Sequence, residues 1–171
     1  MFDDLLNANR RYQSTFVDLG LRGRAARELA VVTCIDSRID PLAMLGLAPG
    51  DAKIIRNAGA RITDDTLRSL ILATNLLGAK RICVVPHTDC AVGGSTEEQM
   101  RENVRAATGR DTGDWEFLAS TDQAETVRRD IAKIRECELI PTDTQIGAFI
   151  FDVHSGALTP VDQIRPETDE R

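Results

Sequence analysis

The sequence predicts an α/β fold: a single domain with a mainly parallel central sheet flanked by helices and a last strand antiparallel at the edge. Three observations carry this. Short apolar, β-branched runs alternate with segments of helical period along the 171 residues, the pattern of strand–helix–strand units. The runs are nearly continuous rather than alternating, as in strands covered on both faces. No internal repeat, linker or low-complexity segment interrupts them, and the length fits one domain, 1–171.

Residues 3–19 form an expected amphipathic helix within an N-terminal arm, 1–23. Asp3 and Asp4 favour its start, Leu5, Tyr12, Phe16 and Leu19 recur at helical spacing, and Gly20 and Gly23 end it. Residues 29–35 read as a central strand. Pro41 suits the first turn of a short helix over 41–46, Pro49-Gly50 is a turn, and 52–56 is a second strand. After the loop Asn57-Ala58-Gly59-Ala60, Thr63 or Asp64 caps a helix to about Leu77, with Gly78 following it. Residues 81–85 form a third buried strand stopped by Pro86. Ser95-Thr96-Glu97-Glu98 offers a capping box for a helix to about Thr108. A polar loop over 109–117 leads to a helix capped by Ser120 or Thr121 and running to about Cys137, its stripe marked by Ala124, Val127, Ile131 and Ile134. A last strand, 146–153, precedes the turn His154-Ser155-Gly156 and a return segment to Val161. The charged residues 165–171 are expected to fray.

Composition bounds the function. Hydrophobic residues make up 42% and charged residues 28%, a globular balance. The net charge of −6 argues against a nucleic-acid or anionic-membrane partner. The longest apolar stretches, such as Leu29 to Ile35, are too short to span a bilayer. The N-terminus lacks the organisation of a secretory signal, so a cytoplasmic location is expected. Four cysteines in a chain of this length do not make a disulfide framework; metal ligands, catalytic groups or buried apolar residues are the readings that suit them.

Two short runs concentrate the chemistry. Cys34-Ile35-Asp36-Ser37-Arg38 ends the first strand, and His87-Thr88-Asp89-Cys90 follows the third. In parallel sheets, sites form beyond the carboxyl ends of strands, near a switch in strand order. If these strands are neighbours, the runs converge. Cysteine and histidine are preferred zinc ligands, and Cys34, His87 and Cys90 would leave a fourth tetrahedral position open, as catalytic zinc sites do. Two thiolates cancel the ion's formal charge, so a water held there is less acidic than one held by three imidazoles. Asp36 could ligate zinc directly and close the site. Alternatively it could pair with the planar fork of Arg38 and leave the site open.

Together the two runs resemble the β-class carbonic anhydrases. Arg56-Asn57-Ala58-Gly59 and the Gly147-to-Gly156 strand and turn are similar to that family, and the length is similar to its short microbial branch. The resemblance implies one Zn2+ per chain on Cys34, His87 and Cys90, with Asp36 as a conditional fourth ligand. It implies an Asp36–Arg38 dyad that gates the metal, and reversible hydration of carbon dioxide to bicarbonate and a proton by zinc-hydroxide attack. It also implies a homodimer or higher homo-oligomer in which the N-terminal helix lies across the partner. Ala91 stands where many relatives carry glycine. Val31 stands where the branch with an inhibitory bicarbonate pocket carries tryptophan, so that pocket is not expected. Zinc sites of this kind also serve hydrolysis of carbonyl sulfide or carbon disulfide, which is the alternative activity. A non-catalytic zinc scaffold closed by Asp36 is a further alternative, and a thiol redox protein is disfavoured by the lack of a Cys-x-x-Cys pair.

The remaining residues have plainer readings. Cys83 is expected in the core and Cys137 as a thiol at a helix end. His154 is expected as a solvated turn residue, and Arg56 as a structural arginine satisfying loop carbonyls. Ala58 and Gly59 would let backbone approach a substrate, or serve only the turn. Trp115 and Phe117 would cap the cleft or pack on a partner.

Overall fold

The computed structural model describes residues 1–163, and the tail at 165–171 lies outside the described residues. Five strands form one sheet: β1 (Leu29–Cys34), β2 (Ala52–Asn57), β3 (Arg81–Val85), β4 (Gln145–Phe151) and β5 (Leu158–Pro160). Their order is β2-β1-β3-β4-β5. The first four are mutually parallel, and β5 runs antiparallel to β4 at the edge. β1 and β3 are therefore neighbours, in the register Val31 to Cys83 and Thr33 to Val85. The order reverses direction at β1, which has β2 on one side and β3 on the other. That reversal opens a crevice at the strands' carboxyl ends.

Four helices accompany the sheet: α1 (Asp3–Thr15), α2 (Asp64–Asn75), α3 (Glu97–Thr108) and α4 (Gln123–Arg135). α2 and α4 pack on one face. There Ala30, Val32, Ile82 and Val84 of the strands meet Leu70 and Ala73 of α2 and Val127 and Ile134 of α4. The alternate strand residues Val31, Cys83 and Val85 point to the other face and join Cys34, Ile39, Cys90 and Phe151. Both faces of β1 are thus filled, which is why its sequence is apolar without alternation. None of the described helices is long and apolar enough to cross a membrane.

Several boundaries differ from the sequence expectation, each for a local reason. α1 stops at Thr15, not at residue 19, because Phe16 turns extended at ψ 129°. No residue of α1 is buried, so no packing sustains a further turn. The short helix at 41–46 shrinks to a 3-10 turn, Ala43–Leu45, closed by Gly46 in the left-handed region. The capping box lies one residue later than expected. The Thr96 hydroxyl accepts from Gln99 N, and the Gln99 side chain accepts from Thr96 N. α4 is capped by Asp122, whose carboxylate accepts from Glu125 N. The Ser120 hydroxyl instead accepts from Asp122 N. A carboxylate at this place also suits the positive end of the helix dipole.

Candidate metal centre

Cys34 is the last residue of β1, and β3 ends one residue before Pro86. Pro86 cannot donate a hydrogen bond, yet its carbonyl accepts from Phe151 N at 2.9 Å. Thr88 N then donates to Phe151 O at 2.9 Å, so the loop bearing His87 is tied to the end of β4. Thr33 Oγ1 donates to Val85 O at 2.8 Å and stitches β1 to β3 just before the loops that carry the candidate ligands begin.

This brings Cys34, His87 and Cys90 together, all buried, with one donor atom of each within 4.8 Å of the others. The two sulfurs are 4.0 Å apart. A disulfide needs about 2.05 Å, and both cysteines are free thiols. Two sulfurs each about 2.3 Å from one tetrahedral ion would lie about 3.8 Å apart, close to the observed spacing. His87 Nδ1 lies 2.8 Å from Thr88 O. That contact places the proton on Nδ1 and leaves the Nε2 lone pair free. Nε2 is buried and has no hydrogen-bond partner. Leaving a buried polar atom orphaned costs about 1–3 kcal/mol, and a cation between it and the two sulfurs would satisfy it. The donor set therefore fits zinc.

The thiols are electrostatically prepared. Hydrogen bonding from Cys90 pulls the Cys34 thiol down to about 3, against burial, with further help from His87 and the Gly59 N–H. Cys90 is pushed up, because it holds its proton toward Cys34 and is itself desolvated. For His87, burial opposes the charged form, but the neighbouring Cys34 sulfur outweighs it and raises the pKa. A cation would replace both protons as the countercharge.

Asp36 and Arg38 meet side-on. Arg38 Nε and Nη2 donate to Asp36 Oδ1 and Oδ2 at 3.0 and 2.8 Å, and Arg38 N donates to Oδ1 at 2.9 Å. The Arg38 hydrogen bonds hold the Asp36 carboxyl well below the usual carboxylate range. Asp36 Oδ2 is 3.7 Å from His87 Nε2, at the edge of the ligand cluster. The adjoining end-on edge of the Arg38 guanidinium reaches Asp89: Nη1 donates to Oδ2 at 2.7 Å and Nη2, shared with the Asp36 contact, to the carbonyl at 2.9 Å.

Other supports come from farther away. Arg56 donates to the carbonyls of Cys34 and Asp36 at 2.9 and 2.7 Å, which is the structural reading expected of it. Gly59 N donates to Cys34 Sγ at 3.4 Å. Gly59 has φ +77°, and a Cβ there would come within 2.9 Å of Val92 Cγ1, so this approach needs glycine. Ala58 is exposed beside it. Gln123, the first residue of α4, donates from Nε2 to His87 O at 2.7 Å. Neither the second contact of Arg38 with Asp89 nor the reach of Gln123 is legible from spacing alone. The only hint of the former is an acidic residue between two candidate ligands. Cys83 is buried at mid-strand and pushed up to about 11 by desolvation, so it stays an inert thiol. His154 is solvent-exposed, its Nε2 4.0 Å from Asp89 Oδ2. Trp115 is exposed and Phe117 half-buried.

Comparison with known proteins agrees with this architecture. A family model for carbonic anhydrase matches residues 29–158. Beta-carbonic anhydrase 1 of Mycobacterium tuberculosis is 36% identical over 160 residues, covering 93% of this chain and 96% of that protein. A carbon disulfide hydrolase of Acidianus sp. is 32% identical over 161 residues, covering 81% of this chain and 79% of that protein. The crystal structure of carbonic anhydrase from Streptococcus mutans superposes with a TM-score of 0.86 at 41% identity, covering 94% of this chain and 96% of that one. Fold and sequence agree, and the chain belongs to the β-class carbonic anhydrase family.

Proposed function

We propose that this protein is a zinc enzyme that hydrates carbon dioxide to bicarbonate and a proton. The observation that carries the reading is the orphaned, buried Nε2 of His87 facing two thiols, one of them strongly acidified. Cys34, His87 and Cys90 would hold one ion per chain. Zinc so held supplies a Lewis acid that makes a water nucleophilic near neutral pH.

The chain's own residues do the rest. Asp36 has both oxygens engaged by Arg38 and presents Oδ2 beside the ligand cluster. Its strongly lowered pKa makes it a poor proton acceptor. It acts instead as a hydrogen-bond acceptor that orients the reacting water, and the released proton leaves to solvent. By engaging both oxygens of Asp36, Arg38 would keep that carboxylate from serving as a fourth ligand; in the alternative arrangement Asp36 would be that ligand and close the site. Ala58 and Gly59 form a wall that offers the substrate room rather than donors, since the Gly59 N–H is already given to Cys34.

A second reading, hydrolysis of carbon disulfide or carbonyl sulfide on the same residues, is supported by the similarity to the Acidianus hydrolase. Hydration is preferred because the similarity to carbonic anhydrases is higher and covers more of both chains. The test is zinc content per chain together with stopped-flow carbon dioxide hydration at several pH values, beside sulfide release from carbon disulfide. Negligible hydration with brisk sulfide release would reverse the order of the two readings. Metal-loaded protein inert toward both substrates would leave only the scaffold.

We also propose assembly into a homodimer or higher homo-oligomer. Leu5, Tyr12, Phe16 and Leu19 are all more than half exposed. The sheet face away from α2 and α4 carries a groove of about 350 Å³ lined by Leu29, Leu45, Cys83 and Phe149 among others. A second copy would cover both. Leu5→Glu with Phe16→Glu should shift sedimentation toward monomer, and a native protein that is already monomeric would sink the idea. Buried free thiols at Cys34, Cys83 and Cys90 suit a reducing compartment, and we place the protein in the cytoplasm.

A further inference from the structure

Asp89 lies between two candidate ligands but is not one of them: the cluster comprises Cys34, His87 and Cys90. Its backbone is left-handed, φ +53°, a region that aspartate, asparagine and glycine enter more readily than other residues. This conformation turns both its carboxylate and its own carbonyl toward one guanidinium. Arg38 Nη1 donates to Oδ2 at 2.7 Å and Nη2 to the carbonyl at 2.9 Å. The adjoining edge of the same guanidinium, Nε and Nη2, holds both oxygens of Asp36. The group is thus fixed along two edges.

Stability does not account for the second edge. The Arg38 and Asp89 side chains are 42% and 62% exposed, and ion pairs in such settings contribute little. Orientation does account for it. A guanidinium held by Asp36 alone can rock about its long stem. Held also by a residue 51 positions away on the other ligand-bearing loop, it cannot.

We propose that Asp89 is a positioning residue, which clamps Arg38 so that the Asp36 carboxylate stays aligned at the mouth of the candidate metal site and away from the ion. Its consequence for turnover rests on the carbonic anhydrase reading; the clamp itself does not.

Two variants separate the clamp from backbone strain. Asp89→Asn keeps a side-chain oxygen acceptor and tolerates positive φ. Asp89→Gly tolerates positive φ, keeps the carbonyl and loses the side chain. Each is measured in zinc-loaded protein for kcat and KM of carbon dioxide hydration, zinc per chain, and the Arg38 Nε–H resonance in 15N spectra. Asp89→Gly should lower kcat by about tenfold or more with KM changed by less than about twofold. Its Arg38 resonance should collapse toward those of solvent-exposed arginines while zinc stays at one per chain. Asp89→Asn should recover most of the rate and the resonance. The proposal is overturned if Asp89→Gly leaves kcat and the resonance as in the native protein, if it loses zinc, or if Asp89→Asn is as impaired as Asp89→Gly. If the native protein hydrates no carbon dioxide, the functional reading fails. The Arg38 resonance across the same variants still decides whether the clamp exists.

Discussion

Replacing Asp130 by alanine should destabilise the protein far more than any change to its exposed ion pairs. Asp130 is almost wholly buried on α4. Its carboxylate accepts from Arg61 Nε at 2.7 Å, from Arg61 Nη2 at 3.2 Å and from Ile62 N at 3.3 Å. Removing it strands a guanidinium that is only 18% exposed, whose remaining partner is the Leu118 carbonyl. It also orphans the N–H of Ile62, which is buried. Breaking a buried pair from one side costs about 3–5 kcal/mol; the residual exposure of Arg61 brings this toward the low end, about 3 kcal/mol. For a chain of this size each kcal/mol is worth about 2–4 °C, so the melting midpoint should fall by about 6–12 °C. The assay is thermal unfolding by circular dichroism at fixed protein and zinc concentration, because both shift the midpoint. Adding Arg61→Met removes the stranded charge, so the double variant should be less destabilised than the two single changes taken together. A midpoint within about 2 °C of native, or strict additivity in the pair, would refute the reasoning.

Asp36→Ala should retain one zinc per chain and lower kcat by about a hundredfold; loss of the metal instead would identify Asp36 as an obligatory ligand. His87→Ala should abolish stoichiometric zinc. Chelation should lower the melting midpoint of native protein, by about 5–11 °C where zinc had stood a hundredfold above its dissociation constant, and leave the variant unmoved. For Glu97, burial opposes ionisation, but the backbone N–H groups of Phe117 and Ala119, at 2.7 and 3.0 Å, outweigh it and lower the pKa. A lowered folded-state pKa stabilises fully above the ordinary glutamate value, about 4.3, and is lost as pH falls through the folded value. Native protein should therefore lose its advantage over Glu97→Gln below about pH 4, and parallel melting curves down to about pH 3 would refute this.

The sheet was legible because β1 and β3 are buried on both faces and so spell continuous β-branched runs. Their adjacency then brings Cys34 to His87 and Cys90. The two-residue spacing put Asp36 and Arg38 on one side of the chain, and of the two arrangements it left open for Asp36 the described residues form the bidentate contact with Arg38. The end of α1 was not legible, because apolar periodicity continues past Thr15 while no buried contact sustains the helix. The cap of α4 was expected at Ser120 or Thr121 and falls at Asp122, because all three side chains are competent and only the geometry selects the last. Gln123 gave no signal at all, since its contact with the His87 carbonyl spans 36 positions and an amide at a helix start is ordinary.

Gly93 shows how narrowly the loop after His87 is fitted. A methyl group built there would overlap the Gln123 amide, which is the movable tip of a side chain and could swing aside. Substitution at 93 would therefore cost no steric catastrophe. It would evict one donor from a buried peptide carbonyl and unfasten the imidazole's own main chain from the helix behind it. A single added carbon, on a residue that is not itself a candidate ligand, would in this way act as damage to the centre itself.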